Sequence, residues 1–318
     1  MQAKTDDDKN WRAKLEALEG AYASATLRAY GTDFSLFEDW CRASGLDALP
    51  AAPETVARFV AARAAHDLPS TIRRRLSAIR KIHRICRLPS PIDDEEVRTA
   101  YRRVVRLRGR RPAQAHGLTV ELRERLLRVC AGERLAGLRD RAIIAVGYDT
   151  LCRRSELVAL TVADLTRNEG GGTSVLVRRS KADPLGDGRI AFLTPRTVEL
   201  LDAWLGAAGI REGPLFRSLV NGRLGDGHLD PGTVGRILKR AARAAGCEAD
   251  LVAAISGHSM RVGGAQDMAA SDFDILALMA AGGWKTVSVV ARYVEKALVA
   301  RVGQTRAARI AAALDALD

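Results

Sequence analysis

Long apolar runs are absent from this 318-residue sequence, so no segment has the length of a membrane-spanning helix. The first ten residues, with Asp6, Asp7 and Asp8, lack the apolar core of a signal peptide. Cysteine is scarce: the five cysteines form no CxxC pair, and none lies near a histidine at metal-ligand spacing. These absences argue against a membrane protein, a disulfide-bonded secreted protein and a zinc module. We therefore expect free thiols in a reducing cytoplasm.

Acidic residues are outnumbered by basic ones, which leaves a net charge of +12 and a pI of about 10.0. Such a balance is typical of proteins that bind a polyanion, although a solvated basic surface has the same total. The distribution of basic and acidic residues along the chain decides between these interpretations. Fourteen Lys or Arg and four acidic residues lie between Pro69 and Pro112, a net charge of +10. This concentration favours contact with a nucleic-acid backbone over a solvated face of mixed sign.

The periodicity of apolar residues predicts a mainly α-helical protein with a small antiparallel β-sheet in its second domain. One helix is expected to begin near Ser70 as its cap. Its core stripe comprises Ile72, Leu76, Ile79, Ile82 and Cys86. Its opposite face carries the candidate DNA-binding residues Arg73, Arg74, Arg80, Lys81, Arg84 and Arg87.

Four segments are expected along the chain. Residues 1–20 form a disordered arm and 21–108 a helical DNA-binding domain. The basic stretch 109–117, broken by Pro and Gly, forms a linker to a second domain over 118–318. In that domain, 174–177 and 190–193 predict a β-hairpin whose loop holds Lys181, while 209–214 and 222–227 are interpreted as loops.

Three segments of the second domain contain residues suited to chemistry. They are 150–157 with Arg153 and Glu156, 256–263 with His258 and Arg261, and 282–294 with Trp284 and Tyr293. Taken singly, each has an ordinary structural interpretation: charges at a helix terminus, polar residues on one helix face, or aromatic residues in a core. Their order and spacing together carry more information than any one of them.

In sequence order, this set resembles the tyrosine recombinase (phage integrase) family. The family pattern is Arg, a hairpin Lys, His-x-x-Arg, His or Trp, and Tyr, which corresponds here to Arg153, Lys181, His258, Arg261, Trp284 and Tyr293. The resemblance extends from about Tyr22 to the end of the chain, and includes the basic stretch 71–91. It implies a site-specific DNA recombinase whose two domains form a C-shaped clamp on DNA.

The resemblance implies a role for each of these residues. Tyr293 is the nucleophile that forms a 3′-phosphotyrosine, and Arg153 and Arg261 bind the non-bridging phosphate oxygens. His258 is the acid–base partner and Glu156 orients it. Lys181 protonates the leaving 5′ oxygen, and Trp284 donates its indole N–H to a phosphate oxygen. The chain shows no carboxylate cluster for Mg²⁺, so neither a metal nor another cofactor is expected.

Base-contacting residues are harder to assign. The helix predicted over 231–245 carries Arg236, Lys239 and Arg240, which suits a major groove. Gly232 stands where related recombinases carry a base-reading arginine, so the target site is expected to differ from theirs. Cys152, where the wider family often has Leu, is interpreted as a packing residue.

The resemblance also implies partners. They are double-stranded DNA with an inverted-repeat site, a homodimer on one site and a homotetramer in the synapse, where strand exchange passes through a Holliday junction. The tail 302–318 has helical spacing and either packs on its own domain or, by resemblance, docks onto a neighbouring protomer. A bacterial, phage or plasmid origin and a cytoplasmic, nucleoid-associated location follow from the same resemblance.

Two rival interpretations remain. A type IB topoisomerase or a telomere resolvase shares the chemistry without partner exchange, and a DNA-binding regulator would share the fold without catalysis. Relaxation of plasmid DNA that lacks any specific site would favour the topoisomerase. Absence of a covalent protein–DNA adduct would favour the regulator.

Overall fold

The structure of the protein is a computed structural model, which describes residues 10–109, 114–130, 134–168, 172–178 and 188–315. The chain divides into two compact units, Met1–Ala113 and Gln114–Asp318. This division falls within the basic stretch 109–117 that the sequence predicts as a linker. Each unit has a hydrophobic core of its own, as expected of a domain.

The described part of the first unit is helical. Its helices are α1 (Trp11–Glu16), α2 (Ser24–Ala43), α3 (Pro53–Arg63), α4 (Pro69–Ile85) and α5 (Glu95–Arg108). The predicted core stripe of α4 is confirmed, because Ile72, Leu76, Ile79, Ile82 and Cys86 are all buried. The predicted cap is wrong: Leu68 is the N-cap and Pro69 the first helical residue. Proline suits that position because its missing N–H would have no intrahelical partner there.

Among the buried polar side chains of this first unit, His83 and Arg75 both have partners. The His83 ring accepts the Ala51 backbone N–H at Nε2 (3.0 Å) and donates from Nδ1 to the Ile79 carbonyl (2.8 Å). The ring is therefore neutral, and burial lowers its pKa. Arg75 is also buried and lies 2.6 Å from the carboxylate of Asp67. Because this ion pair compensates its charge, Arg75 can lie on the buried face of α4.

The expected disordered arm over 1–20 is wrong for its second half, where α1 forms. Trp11 and Leu15 of this helix are buried, and the Trp11 ring meets Phe34 edge-on at 5.0 Å between centroids. The Asn10 side chain caps the helix by accepting the Ala13 N–H (3.3 Å). A helix of six residues is too short to show a periodic stripe, so tertiary packing rather than local pattern stabilises it. Residues 1–9 lie outside the described residues.

The described part of the second unit combines helices with two small sheets. Its helices are α6 (Val120–Val129), α7 (Leu135–Asp149), α8 (Arg154–Ala159), α9 (Pro195–Ala208), α10 (Pro231–Ala244), α11 (Ala249–Ala254), α12 (Ser259–Ala270), α13 (Ile275–Gly282) and α14 (Val287–Asp315). Its strands are β1 (Leu165–Arg167), β2 (Thr173–Val177), β3 (Arg189–Leu193), β4 (Arg217–Val220) and β5 (Arg223–His228). The fold class predicted from the sequence, mainly α with a small antiparallel sheet in the second domain, is confirmed.

The larger sheet has the order β1–β2–β3 with antiparallel pairing. The predicted hairpin is confirmed, since Val175 faces Ala191 across β2 and β3. The smaller sheet, β4 with β5, corrects the loop expected over 222–227. Asn221 and Gly222 both have positive φ (51° and 77°), as a tight hairpin turn requires. This Asn-Gly pair was the available signal, which the glycine-rich and largely exposed β5 obscured.

A small apolar cluster of the second unit lies apart from its large core. The cluster comprises Leu151, Ala265, Ala269, Leu278, Trp284, Val290 and Val294. Helix α12 reaches this position because Gly263 lets it contact the backbone at Leu118, where an added Cβ would lie 1.9 Å from the carbonyl oxygen. Among the described residues, no single helix is long and apolar enough to cross a membrane. Only Ile275–Gly282 and Val287–Glu295 taken together pass that test, and they are bent by 95°.

Candidate active site

Five predicted catalytic residues that the structure describes lie in or beside the small apolar cluster. Arg153 is the N-cap residue of α8, and His258 is the N-cap residue of α12. Arg261 lies in the first turns of α12, and Tyr293 lies within α14. Trp284 follows α13, and its ring lies 4.8 Å from that of Tyr293. The fold therefore brings together residues separated by as many as 140 positions in the sequence.

The Tyr293 hydroxyl and the His258 ring form the central contact of the site. His258 Nε2 lies 2.5 Å from Tyr293 Oη, and the ring centroids are 5.3 Å apart. A neutral imidazole can accept the phenolic proton at Nε2, while its other nitrogen keeps the ring proton. This geometry suits activation of the tyrosine oxygen as a nucleophile.

Arg261 and Trp284 present buried donors beside that hydroxyl. The Arg261 side chain is fully buried, with Cζ 4.3 Å above the Trp284 ring. Its Nη1 donates to the Leu151 carbonyl (2.5 Å), whereas its Nε and Nη2 have no hydrogen-bond partner among the described residues. The indole Nε1 of Trp284 is buried and lacks a described partner as well. Three such buried donors around one hydroxyl suit an anion as their common acceptor.

Glu156 has a different partner from the expected one. Its carboxylate accepts the Arg153 backbone N–H at 2.9 Å and Arg153 Nη1 at 2.5 Å. No hydrogen bond joins it to His258 in the described structure, and its expected role of orienting that ring stays a prediction. Glu156 instead caps α8 and holds the Arg153 guanidinium. The Glu156 side chain is only 3% exposed, and its negative charge offsets the positive charge of Arg153 close to His258.

Two residues with positive φ turn the chain just before site residues. Leu151 has φ of 50°, a left-handed conformation that is costly for a residue with a Cβ. It turns the chain between α7 and Arg153 and aims its carbonyl at Arg261. Gly283 has φ of 61° and ends α13 just before Trp284. Cys152, between Leu151 and Arg153, is fully buried, which agrees with its interpretation as a packing residue.

Lys181 falls in 179–187, outside the described residues, so its place beside the site stays a prediction. Among the residues that are described, no group of three or more His, Cys, Asp or Glu side chains could hold a metal ion.

Electrostatics keep the His258 ring neutral. Burial, together with the charges of Arg261 and Arg153, lowers the pKa of His258 to about 4, against the opposing charge of Glu156. Burial also lowers the pKa of Arg261, and the charge of Arg153 adds to that effect. A bound anion would relieve the repulsion among these cations.

We expect the His258 ring of the folded, DNA-free protein to stay neutral down to pH 5.5, with a pKa near 4. In the unfolded chain the same ring should titrate at about 6.5. As pH falls from about 6.5 towards 4, the unfolded state binds a proton that the folded state does not, so this group's contribution to stability declines. NMR titration of the assigned ring measures the pKa, with the urea-unfolded protein as control. Half-protonation near pH 6.5 in the folded protein would contradict the expectation.

The basic residues predicted on α4 divide into two groups. Arg73, Arg84 and Arg87 are exposed and make no ion pair with any described residue. The other three have internal partners: Arg74 and Arg80 bind carboxylates, and Lys81 lies 2.9 Å from the Tyr22 hydroxyl. Arg74 is the most firmly held, since its bidentate partner Asp33 (2.7 and 2.9 Å) is buried. Arg73, Arg84 and Arg87 are therefore the freest to contact phosphate.

The basic residues predicted on α10 all have acceptors within their own unit. Arg236 donates to the Thr233 hydroxyl (2.6 Å), and Lys239 donates to the Ala253 carbonyl (3.2 Å). Arg240 pairs with the buried Asp140. Each of these cations has further N–H donors, so the contacts are compatible with DNA binding. The exposed pair of Arg236 and Asp230 is the weakest of them.

One residue near the site was missed by sequence reasoning. Arg189, the first residue of β3, donates to the backbone carbonyls of Thr150 (2.6 Å) and Ala281 (2.7 Å). The residues around Arg189 in the sequence predict only a strand. Its acceptors are backbone carbonyls, which any residue type provides, so no sequence motif indicates them. A basic residue at the start of a strand in the predicted hairpin was the available clue.

Comparisons with known proteins identify the family of the chain. The phage integrase family matches residues 117–298, and the phage integrase N-terminal SAM-like domain matches 11–87. An integrase/recombinase xerD homolog of Selenomonas ruminantium is 34% identical over 302 residues, covering 91% of this chain and 87% of that protein. Recombinase cre of Escherichia phage P1 is 27% identical over 272 residues, covering 80% and 79%.

Solved structures show the same fold. XerH recombinase bound to a palindromic difH substrate has a TM-score of 0.67 at 16% identity, covering 94% of this chain and 84% of that one. A lambda integrase dimer bound to a COC′ core site has a TM-score of 0.61 at 17% identity, covering 90% and 94%. Since the family match spans most of the second unit and a relative aligns along nearly the whole chain, this protein belongs to the phage integrase family of site-specific tyrosine recombinases.

Proposed function

We propose that the protein cleaves a DNA strand by attack of the Tyr293 hydroxyl on a phosphodiester and rejoins it to a second strand. One observation carries the proposal: the hydroxyl bonded to His258 lies beside unpartnered buried donors of Arg261 and Trp284. A phosphodiester is tetrahedral, and its non-bridging oxygens can accept from a guanidinium fork and an indole N–H at once. The attack forms the bond from Tyr293 Oη to phosphorus and breaks the bond from phosphorus to the 5′ oxygen.

Each proposed role follows from charge development in that step. Negative charge grows on the non-bridging oxygens, where the guanidiniums of Arg261 and Arg153 stabilise it. His258 accepts the phenolic proton, since its lowered pKa keeps it unprotonated. Lys181 donates a proton to the leaving 5′ oxygen, a role that rests on the resemblance alone. The 3′-phosphotyrosine keeps the energy of the broken ester, so a 5′-hydroxyl of another strand can reverse the step without ATP.

We propose double-stranded DNA with an inverted-repeat site as the substrate. Two protomers occupy one site and four form the synapse, with a Holliday junction between the two strand exchanges. A lambda integrase tetramer has been solved bound to a Holliday junction. The end of α14, where Val302 and Ile310 are exposed, supports docking of this helix onto a neighbouring protomer.

Binding-site selection from random DNA, followed by recombination between two copies of the selected site, tests this function. We expect an inverted repeat that gives two successive gel shifts, and recombinant product in EDTA without ATP. The affinity should fall steeply with salt, because many phosphates are contacted. A shuffled site of equal composition is the control.

Three results would contradict the proposal. An absolute requirement of cleavage for Mg²⁺ would reject the metal-independent mechanism. Relaxation of plasmid without the selected site would favour a topoisomerase, and specific binding without any covalent adduct would favour a regulator.

A further inference from the structure

Arg189 connects three segments around the candidate site with one guanidinium. Its Nη1 donates to the Ala281 carbonyl (2.7 Å), and its Nη2 donates to the Thr150 carbonyl (2.6 Å). Its stem passes so close to Gly283 that an added Cβ there would lie 3.0 Å from Arg189 Cδ. The side chain of a strand residue thus spans the space between two turns.

Both acceptors lie at helix C-termini. Helix α7 ends at Asp149 with Thr150 as its cap, and Ala281 lies in the last turn of α13. The final carbonyls of a helix have no intrahelical donor, and the helix dipole makes this end negative. A single cation with forked donors therefore satisfies two helix ends at once, which lysine cannot do with the same geometry.

Each of these helix ends leads directly to a site residue. Arg153 follows Thr150 by three positions, and Trp284 follows Ala281 by three. The other end of β3 is fixed to α7 as well: the backbone N–H and the hydroxyl of Thr194 both donate to Asp149 (2.8 Å each). Strand β3 is thus tied at both ends to the helix that precedes Arg153.

We infer that Arg189 is a positioning residue of the reaction: by bridging the ends of α7 and α13, it sets the distance between Arg153 and the Trp284–Tyr293 pair. It contacts no reacting atom itself. The inference rests on the proposed strand cleavage by Tyr293. Because misplacement of a reacting group by about 1 Å costs on the order of 100-fold in rate, loss of this bridge should slow the chemistry and spare DNA binding.

The test compares Arg189→Gln, Arg189→Lys and a matched control, Arg125→Gln. Arg125 also caps a helix end, donating to the Ala245 carbonyl (3.1 and 2.6 Å) just beyond α10, which leads to none of the site residues. The substrate is a nicked suicide duplex of the selected site. Covalent adduct formation at saturating protein, DNA affinity by gel shift, and the thermal midpoint are measured for each variant.

We expect Arg189→Gln to slow adduct formation about 100-fold with a Kd within about twofold of the wild type, and Arg189→Lys to slow it about tenfold. Arg125→Gln should lower the thermal midpoint but leave the rate within about twofold. Equal rates in Arg189→Gln and Arg125→Gln would overturn the inference, since Arg189 would then be only a helix cap. A Kd weakened as much as the rate would make it a DNA contact instead.

Two further outcomes separate this inference from the proposed function. If the wild type forms no adduct, the proposed function fails and the inference fails with it. If the wild type reacts and Arg189→Gln does not fold, Arg189→Lys decides, and a wild-type rate in that variant overturns the inference alone.

Discussion

Tyr293→Phe is expected to form no covalent adduct on a nicked suicide duplex of the selected site, while binding that duplex as the wild type does. The substitution removes only the oxygen that lies 2.5 Å from His258. The ring contacts with Trp284 and His258 do not need the hydroxyl, so the fold should persist. Loss of the nucleophile should reduce adduct formation by roughly 10⁴-fold or more, which is measured on denaturing gels.

Tyr101→Phe is the matched control, since it also removes one phenolic oxygen, from a residue whose hydroxyl donates to the Pro69 carbonyl (3.3 Å) in the first unit. Its adduct yield should equal that of the wild type. An adduct in Tyr293→Phe would identify a different nucleophile. Cys152 is poorly suited to that role, because it is fully buried and burial raises the pKa of its thiol.

The parts of the fold with a buried face could be predicted from the sequence. Helix α4 shows this well, because a single stripe of Ile72, Ile79 and Ile82 has to face the core. Strands β2 and β3 have an apolar composition for the same reason. Elements with little buried surface left no such pattern: α1 spans six residues, and β5 is mostly exposed. Their existence depends on tertiary contacts and a tight turn rather than on periodicity.

Which residues form the candidate site could be predicted from their order in the sequence, whereas most hydrogen bonds among them could not. Spacing from His258 to Tyr293 identified both residues, and the structure places their side chains in contact. The pairing of Glu156 with Arg153 is local. A carboxylate near both an arginine and a histidine has two possible partners, however, and only the geometry of α8 decides between them. Arg189 binds backbone carbonyls about forty and ninety positions away, which no side-chain pattern records.

Arg261→Lys is expected to slow adduct formation by about 10²- to 10³-fold, although the formal charge is unchanged. Arg261 uses Nη1 on the Leu151 carbonyl and keeps Nε and Nη2 for another acceptor. A lysine has one ammonium, which can bond either to Leu151 or to a phosphate but cannot present a fork. Burial also favours the neutral form of an amine far more than that of a guanidinium, so part of the charge would be lost.

The measurement is single-turnover adduct formation at saturating protein, beside a gel-shift Kd. The Kd of Arg261→Lys should stay within about threefold of the wild type, because one phosphate contact among many contributes little to affinity. Arg128→Lys, at an exposed position on α6, is the control and should leave both values unchanged. If Arg261→Lys cleaved at the wild-type rate, a single point charge at this position would be enough to stabilise the phosphate during cleavage. The unpartnered donors around Tyr293 would then need another explanation than bidentate stabilisation of the phosphate oxygens.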